Sequence, residues 1–201
     1  MSNALSADYW SQRYRENRTG WDLHVPNSGL VAAVKARLQP SARILIPGAG
    51  RGYEAEALWD AGYDEVYVCD WAEEAFEALR SASQHDRVWL AKRLIVGDFF
   101  ELDDKFDAIV EQTFFCALDP GKRAAYVEQC ARLLCGGGSW IGILFDRYFP
   151  TPGPPFGGGQ ETYKTLFEPS FSVLEWKPFT DSVAPRLGAE WFGVLRSRSV
   201  C

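Results

Sequence analysis

Three glycines alternate with other residues in the turn Gly48-Ala49-Gly50-Arg51-Gly52-Tyr53, which follows the apolar run "RILIP" and precedes the helical pattern "YEAEAL". Backbone free of side chains lets a ligand approach closely. Two acids close later apolar runs, Asp70 in "VYVCD" and Asp98 in "VGDFF". A carboxylate at a strand end can accept the protons of both ribose hydroxyls, or of the exocyclic amine on a base edge. A dinucleotide fingerprint needs a third glycine one position later, where Tyr53 stands, and no Lys-Ser/Thr pair closes the turn as a phosphate-binding loop requires. The turn thus matches poorly both a dinucleotide site and a phosphate-binding loop. The alternative is that Asp70 and Asp98 only cap the turns that follow them.

Such residues converge only if the strand ends line up. Behind an Asn/Ser cap, "NSGLVAAVKARL" carries apolar residues at helical spacing and stops at Pro40. Beyond it, strand patterns alternate with helical ones. "RILIP", "EVYVCD", "KRLIVGD", "FDAIVEQ" and "SWIGILF" read as strands, and 52–61, 72–82 and 121–134 as helices. That alternation predicts right-handed crossovers and a largely parallel sheet. After the Pro/Gly-rich "YFPTPGPPFGGG", a surface loop or lid, come a helix over 161–167 and the strands "FSVLEWK" and "EWFGVLRSR". With no helical pattern between them, those two predict an antiparallel, hairpin-like end to the sheet.

Composition bounds the rest. A chain of 201 residues with 47% hydrophobic and 24% charged residues is expected to form one domain, spanning 1–201. A formal net charge of -6 argues against a nucleic-acid partner, since nonspecific affinity comes from neutralising phosphates. Aromatic residues at 14%, eight Trp among them, suggest that a ligand is enclosed as well as a core built. The five cysteines include no C-x-x-C pair, so neither a disulfide scaffold nor a metal site is expected. No apolar run of about 18 residues is present to span a membrane, and no leader pattern opens the chain. The expectation is a cytoplasmic protein without a membrane partner.

The spacing G-x-G-x-G is the pattern of S-adenosylmethionine-dependent methyltransferases, and Asp70 and Asp98 stand where such a cofactor presents ribose and adenine. Several segments together resemble the thiopurine S-methyltransferase and thiol (thiocyanate, halide) methyltransferase family of that class. They are "YWSQRYRENRTGWDLHVPNSGLV", "ILIPGAGRGYEAEAL", "GDFFELDDKFDAIVEQTFFCALDPGKRAAYVEQCARLL", "GPPFGGGQETYKTLFEP" and "SVAPRLGAEWFG", nearly the whole chain. The resemblance implies a class I Rossmann-like α/β fold with a largely parallel seven-stranded sheet and an antiparallel C-terminal strand. It implies S-adenosyl-L-methionine as cofactor and a small-molecule methyl acceptor. Residues 8–24 would form an arm over the cofactor, with Trp10, Tyr14 and Trp21 closing it. Gly48 and Gly50 would approach the methionine moiety, Asp70 the ribose, and Asp98 with Phe99 the adenine, while Glu111 matches a further cofactor-side acid. Gln112 replaces a frequent aromatic, and Ala49 a frequent Cys.

Transfer of a methyl group to a thiolate or other soft anion needs no strong base, only positioning and exclusion of water. That suits a chain whose histidines, His24 and His85, lack a recognisable catalytic partner. His85 reads as a solvated helix-end residue, and His24 as an arm residue that could face the acceptor. Arg186, between the last two strands, is the expected functional cation, and Phe115 the expected acceptor-wall residue beside Phe114, Phe149 and Phe156. Cys116 reads as a small buried thiol behind the fourth strand. The expected activity is methylation of a thiol or thiol-like sulfur, by a monomer or weak homodimer. Transfer to oxygen or nitrogen of a small metabolite, and cofactor binding without catalysis, are the alternatives.

Overall fold

The computed structural model describes residues 5–199. Strands β1 (Ile44–Pro47), β2 (Val66–Asp70), β3 (Leu94–Val96), β4 (Phe106–Gln112), β5 (Leu134–Phe145), β6 (Phe171–Pro178) and β7 (Glu190–Ser197) form one sheet in the order β3-β2-β1-β4-β5-β7-β6. The first five run parallel. β7 lies antiparallel to both β5 and β6. The fold is thus the expected mostly parallel sheet with an antiparallel C-terminal strand. The last two strands form the expected antiparallel pair, but β7 slots inside and leaves β6 at the edge.

All four residues of β1 are buried, as befits a central parallel strand covered on both faces. Alternation sends Ile44 and Ile46 into one core, with Leu30, Leu58 and Leu79. Leu45 enters the other, with Ile109, Tyr126, Trp140 and Phe167. On the first side lie α2 (Ser28–Lys35), α3 (Tyr53–Trp59) and α4 (Glu77–Ala82), and on the second α6 (Arg123–Leu133) and α7 (Gln160–Phe167). Asn27 caps α2 by accepting the Leu30 N–H at 3.0 Å, as the Asn/Ser pattern predicts.

Three local differences from the sequence reading stand out. The segment expected as one helix over 72–82 opens as a 3-10 turn, Glu73–Phe76, before α4 begins. A short helix α5, Arg87–Ala91, capped by Asp86, precedes β3. It stacks Trp89 on His85 with centroids 4.6 Å apart, so His85 is a half-buried packing residue and not a solvated one. α1 (Ala7–Arg15) starts the arm, capped by Ser6, and reaches the 3-10 turn through an Arg15–Glu74 ion pair.

Candidate functional site

The C-terminal ends of the parallel strands open into a cavity of about 730 Å³, the position that the topology of an open α/β sheet reserves for ligands. Its floor is the glycine turn after β1. Gly48, Gly50 and Gly52 have φ of 55°, 55° and 71°, a left-handed conformation that side chains oppose. A Cβ on Gly48 would stand 2.3 Å from Phe114 Cδ2, and one on Gly52, the N-cap of α3, 2.7 Å from Leu79 Cδ2. Left-handed turns at every second residue are the physical reason for the G-x-G-x-G spacing.

The Gly50 N–H donates to Asp70 Oδ2 at 3.0 Å, and the Ala72 N–H to Asp70 Oδ1 at 2.9 Å. Each oxygen keeps a lone pair for a ligand hydroxyl. Burial pushes the Asp70 carboxyl up to about 6, against the pull of these backbone donors. Asp98 accepts the Phe100 N–H at 2.9 Å and so caps the 3-10 turn Phe99–Glu101. Phe99 packs edge-on to Phe114 at 5.4 Å. Asp70, Asp98, Phe99 and Gly48 line the cavity together, whereas Gly50 lines a smaller neighbouring one.

The arm folds back over this floor. Trp21 meets Trp10 and Tyr14 edge-to-face at 5.4 and 5.8 Å, and all three rings line the cavity. Tyr14 is buried, and that burial, reinforced by the charge of Asp70, holds its phenol well above the ordinary value. Two contacts that the sequence reading missed hold the arm down. Arg51 Nε donates to Asp22 Oδ2 at 2.7 Å, and Arg186 Nη2 to the Trp21 carbonyl at 2.9 Å. His24, with φ of 60° and a side chain 77% exposed, turns away from the acceptor side.

The far end of the cavity has an apolar wall of Phe114, Phe145 and the loop residues Pro154, Pro155 and Phe156, with Cys116 and Arg186 beside them. Burial pushes the Cys116 thiol up to about 12, so it is neutral. The loop is pinned from outside: Arg123 donates to the carbonyls of Phe156 at 2.9 Å and Gly157 at 3.2 Å, and the Phe156 N–H donates to the Cys116 carbonyl at 2.6 Å. At the opposite end, Lys122 Nζ lies 5.8 Å from the Trp71 ring and 5.5 Å from the Phe100 ring, all three on the cavity lining. The sequence reading used none of Arg123, Lys122 or Trp71; the "DPGKR" turn ahead of α6 was the one local signal for the two cations.

Two expected site residues lie elsewhere. Phe115 is 1% exposed and packs on Tyr126, Tyr163 and Phe167, away from the cavity, so it is core and not acceptor wall. Glu111 is fully buried under the loop after β4 and does not reach the cavity. Its Oε1 accepts the N–H groups of Phe114 and Phe115, each at 2.9 Å, and its Oε2 the Tyr126 hydroxyl at 2.6 Å. Burial outweighs these bonds and pushes Glu111 up to about 7. Just above it, Thr113 has φ of 64°, an unfavourable value for a β-branched residue. The buried carboxylate thus holds the strained turn that presents Phe114. Phe149 packs on Phe145 at 5.2 Å but is absent from the cavity lining.

Comparison with known proteins gives this geometry a context. Residues 5–199 match the family described as thiopurine S-methyltransferase. A probable thiol methyltransferase 2 of Arabidopsis thaliana is 31% identical over 200 residues, covering 96% of this chain and 87% of that protein. A thiopurine S-methyltransferase of Acinetobacter baylyi is 26% identical, covering 84% of this chain and 87% of that protein. Among solved structures, the 1,6-didemethyltoxoflavin-N1-methyltransferase of Burkholderia thailandensis, bound to its substrate and S-adenosylhomocysteine, superposes with a TM-score of 0.76. It shares 18% identity and covers 98% of this chain and 88% of that one, a likeness of fold. With its glycine turn, strand-end acids and folded-back arm, the chain belongs to the thiopurine S-methyltransferase family and is a methyltransferase dependent on S-adenosylmethionine.

Proposed function

We propose that this chain methylates the sulfur of a small soft nucleophile, a thiolate or related sulfur anion, within a cavity that its own arm and Pro/Gly loop close. The bound cofactor supplies an electrophilic sulfonium methyl. Asp70 accepts the ribose hydroxyls, Asp98 and Phe99 flank the adenine, and Gly48 gives the chain close approach beside Phe114. Trp10, Tyr14 and Trp21 exclude water above, which strengthens every electrostatic contact inside.

One observation carries the sulfur reading. The acceptor end is walled by Phe114, Phe145 and Phe156; beside them lie the Cys116 thiol, held neutral by burial with a pKa of about 12, and the Arg186 guanidinium, and among the described residues no histidine is on the cavity lining. Hydroxyl and amine acceptors usually need a base in the transition state, whereas a thiol ionises on its own near neutral pH. A monomer or weak homodimer belongs to the same reading, supported by the arm and the Pro/Gly loop of one chain lying on the same cavity. Cytoplasmic residence and a single domain belong to the same reading. The free thiols of Cys69, Cys116 and Cys130 support it, as such groups persist in reducing compartments.

The test is a panel of thiols, thiocyanate and halides against hydroxyl and amine analogues of equal shape, with methyl-labelled cofactor. Label on sulfur acceptors and none on the analogues supports the proposal. Equal transfer to an amine would move the activity to nitrogen, and tight cofactor binding without transfer to anything would make the chain a cofactor sensor.

A further inference from the structure

Arg13 stands on the cavity lining and, among the described residues, has no carboxylate within ion-pair distance. The acids of the arm and the cavity floor are engaged elsewhere: Glu16 with Arg18, Asp22 with Arg51 at 2.7 Å, and Asp70 and Asp98 with backbone N–H groups. Neutral partners fix the direction of the guanidinium instead. Its Nε donates to the Arg18 carbonyl at 3.1 Å and its Nη1 to the Tyr9 hydroxyl at 3.0 Å, while the group lies 5.0 Å from the Trp21 ring centroid. Nη2 is left without a protein acceptor. In a chain of net charge -6, an oriented and uncompensated cation on a cavity wall suits an oxyanion from the ligand.

The winding of α1 says which end of the cavity Arg13 serves. Residues four apart share a helix face, so Ser11 with Arg15, Trp10 with Tyr14, and Tyr9 with Arg13 form three adjacent rows. The first row bonds to Glu74, in the 3-10 turn after β2. The second covers the glycine turn, with the Tyr14 hydroxyl 3.1 Å from where a Cβ on Gly50 would stand. The third therefore falls on the flank turned away from β2, the side on which β4 and β5 carry Phe114 and Phe145. Trp21 gives an independent bearing, since its ring lies against Arg13 and its carbonyl takes the bond from Arg186, beside the acceptor wall. Arg186 is ion-paired with Glu190 at 3.6 Å, which leaves Arg13 as the cation with charge to spare. We propose that Arg13 binds an anionic substituent of the acceptor, so that the preferred substrate is a thiol that also carries a carboxylate or similar oxyanion. This rests on the sulfur reading above. The substituent takes no part in the transfer, in which the thiolate sulfur gains the methyl as the sulfonium C–S bond breaks and both charges are lost. Because Arg13 belongs to the arm, the anion ties the acceptor to the cover over the cofactor.

Rates of labelled-methyl transfer to the sulfur of 2-, 3- and 4-mercaptobenzoate, each against the mercaptobenzamide of the same geometry and normalised to thiolate concentration, test the assignment on the intact chain. The amide keeps ring, thiol and shape and loses the charge. The native chain should favour at least one carboxylate over its amide by about tenfold or more in kcat/KM, mainly through KM. Arg13→Met should collapse that ratio to within about twofold, and Arg13→Lys should restore part of it. Native rates that favour no carboxylate over its amide, or a ratio untouched by Arg13→Met, would overturn the assignment while leaving the sulfur reading standing. So would a loss of S-adenosylhomocysteine affinity of about tenfold in Arg13→Met, measured by calorimetry, because Arg13 would then serve the arm or the cofactor. No transfer to any of these thiols, by a chain that binds S-adenosylhomocysteine, would overturn the sulfur reading and this assignment together.

Discussion

The Gly50 N–H donates to Asp70 Oδ2 at 3.0 Å, which makes the turn after β1 and the acid ending β2 one hydrogen-bonded unit. Both Asp70 oxygens are oriented by backbone donors before any ligand arrives. An acid held this way is preorganised to receive two hydroxyl groups.

Affinity for S-adenosylhomocysteine should therefore follow the ionisation of Asp70. Its carboxyl is pushed up to about 6 by burial, so the accepting form is lost as pH falls below that value. Calorimetry should show the Kd rising by up to about tenfold per pH unit below 6. In Asp70→Asn the affinity should drop about 10- to 100-fold, and this slope should vanish.

Gly48→Ala should damage both fold and site. The new methyl meets Phe114 at 2.3 Å with φ at 55°. Urea unfolding should show a loss of about 1–3 kcal/mol, and calorimetry a cofactor affinity reduced at least tenfold.

Glu111 makes stability depend on pH in a direction opposite to that of an ordinary paired carboxylate. Its folded-state value, about 7 against an ordinary 4.5, means that the native chain binds the proton more tightly than the unfolded one. Its contribution is complete below pH 4.5 and is lost as pH rises towards 7, at up to about 1.4 kcal/mol per pH unit. In Glu111→Gln, urea midpoints across that window should be flatter than in the native chain. An unchanged slope would mean that Glu111 is not the titrating group.

Arg123 anchors the acceptor loop without lining the cavity. Arg123→Ala should raise the acceptor KM about 10- to 100-fold through the two lost bonds to Phe156 and Gly157, and leave the Kd for S-adenosylhomocysteine within about twofold. Arg123→Lys, able to reach one carbonyl, should fall between. A purely structural role would instead lower cofactor affinity and thermal stability together.

The cofactor half of the site was legible in the sequence because it follows from alternation. Parallel strands put their C-terminal ends in a row, and Gly48, Asp70 and Asp98 are each at such an end. Phe115 was misplaced for a reason of parity: the left-handed Thr113 breaks the period-two pattern just after β4, so Phe114 faces the cavity and Phe115 the core. Glu111 lies before that break, where the unbroken alternation of β4 sends it with Ile109 towards Tyr126. Arg51–Asp22 and Arg123–Phe156 join residues 29 and 33 positions apart, and local spacing carries no trace of such pairs. The insertion of β7 between β5 and β6 was equally invisible, because an antiparallel pair can dock by either strand.

The central claim, methyl transfer from S-adenosylmethionine to an ionised sulfur without an enzymic base, is tested most directly by one pH–rate profile. Single-turnover transfer of labelled methyl to an aryl thiol and to its phenol isostere should be followed from pH 5 to 9. The account predicts that the thiol rate rises with its thiolate fraction and levels off above the thiol's own pKa, while the phenol stays unmethylated. A phenol rate comparable to that of the thiol, governed by a pKa belonging to the protein, would contradict it.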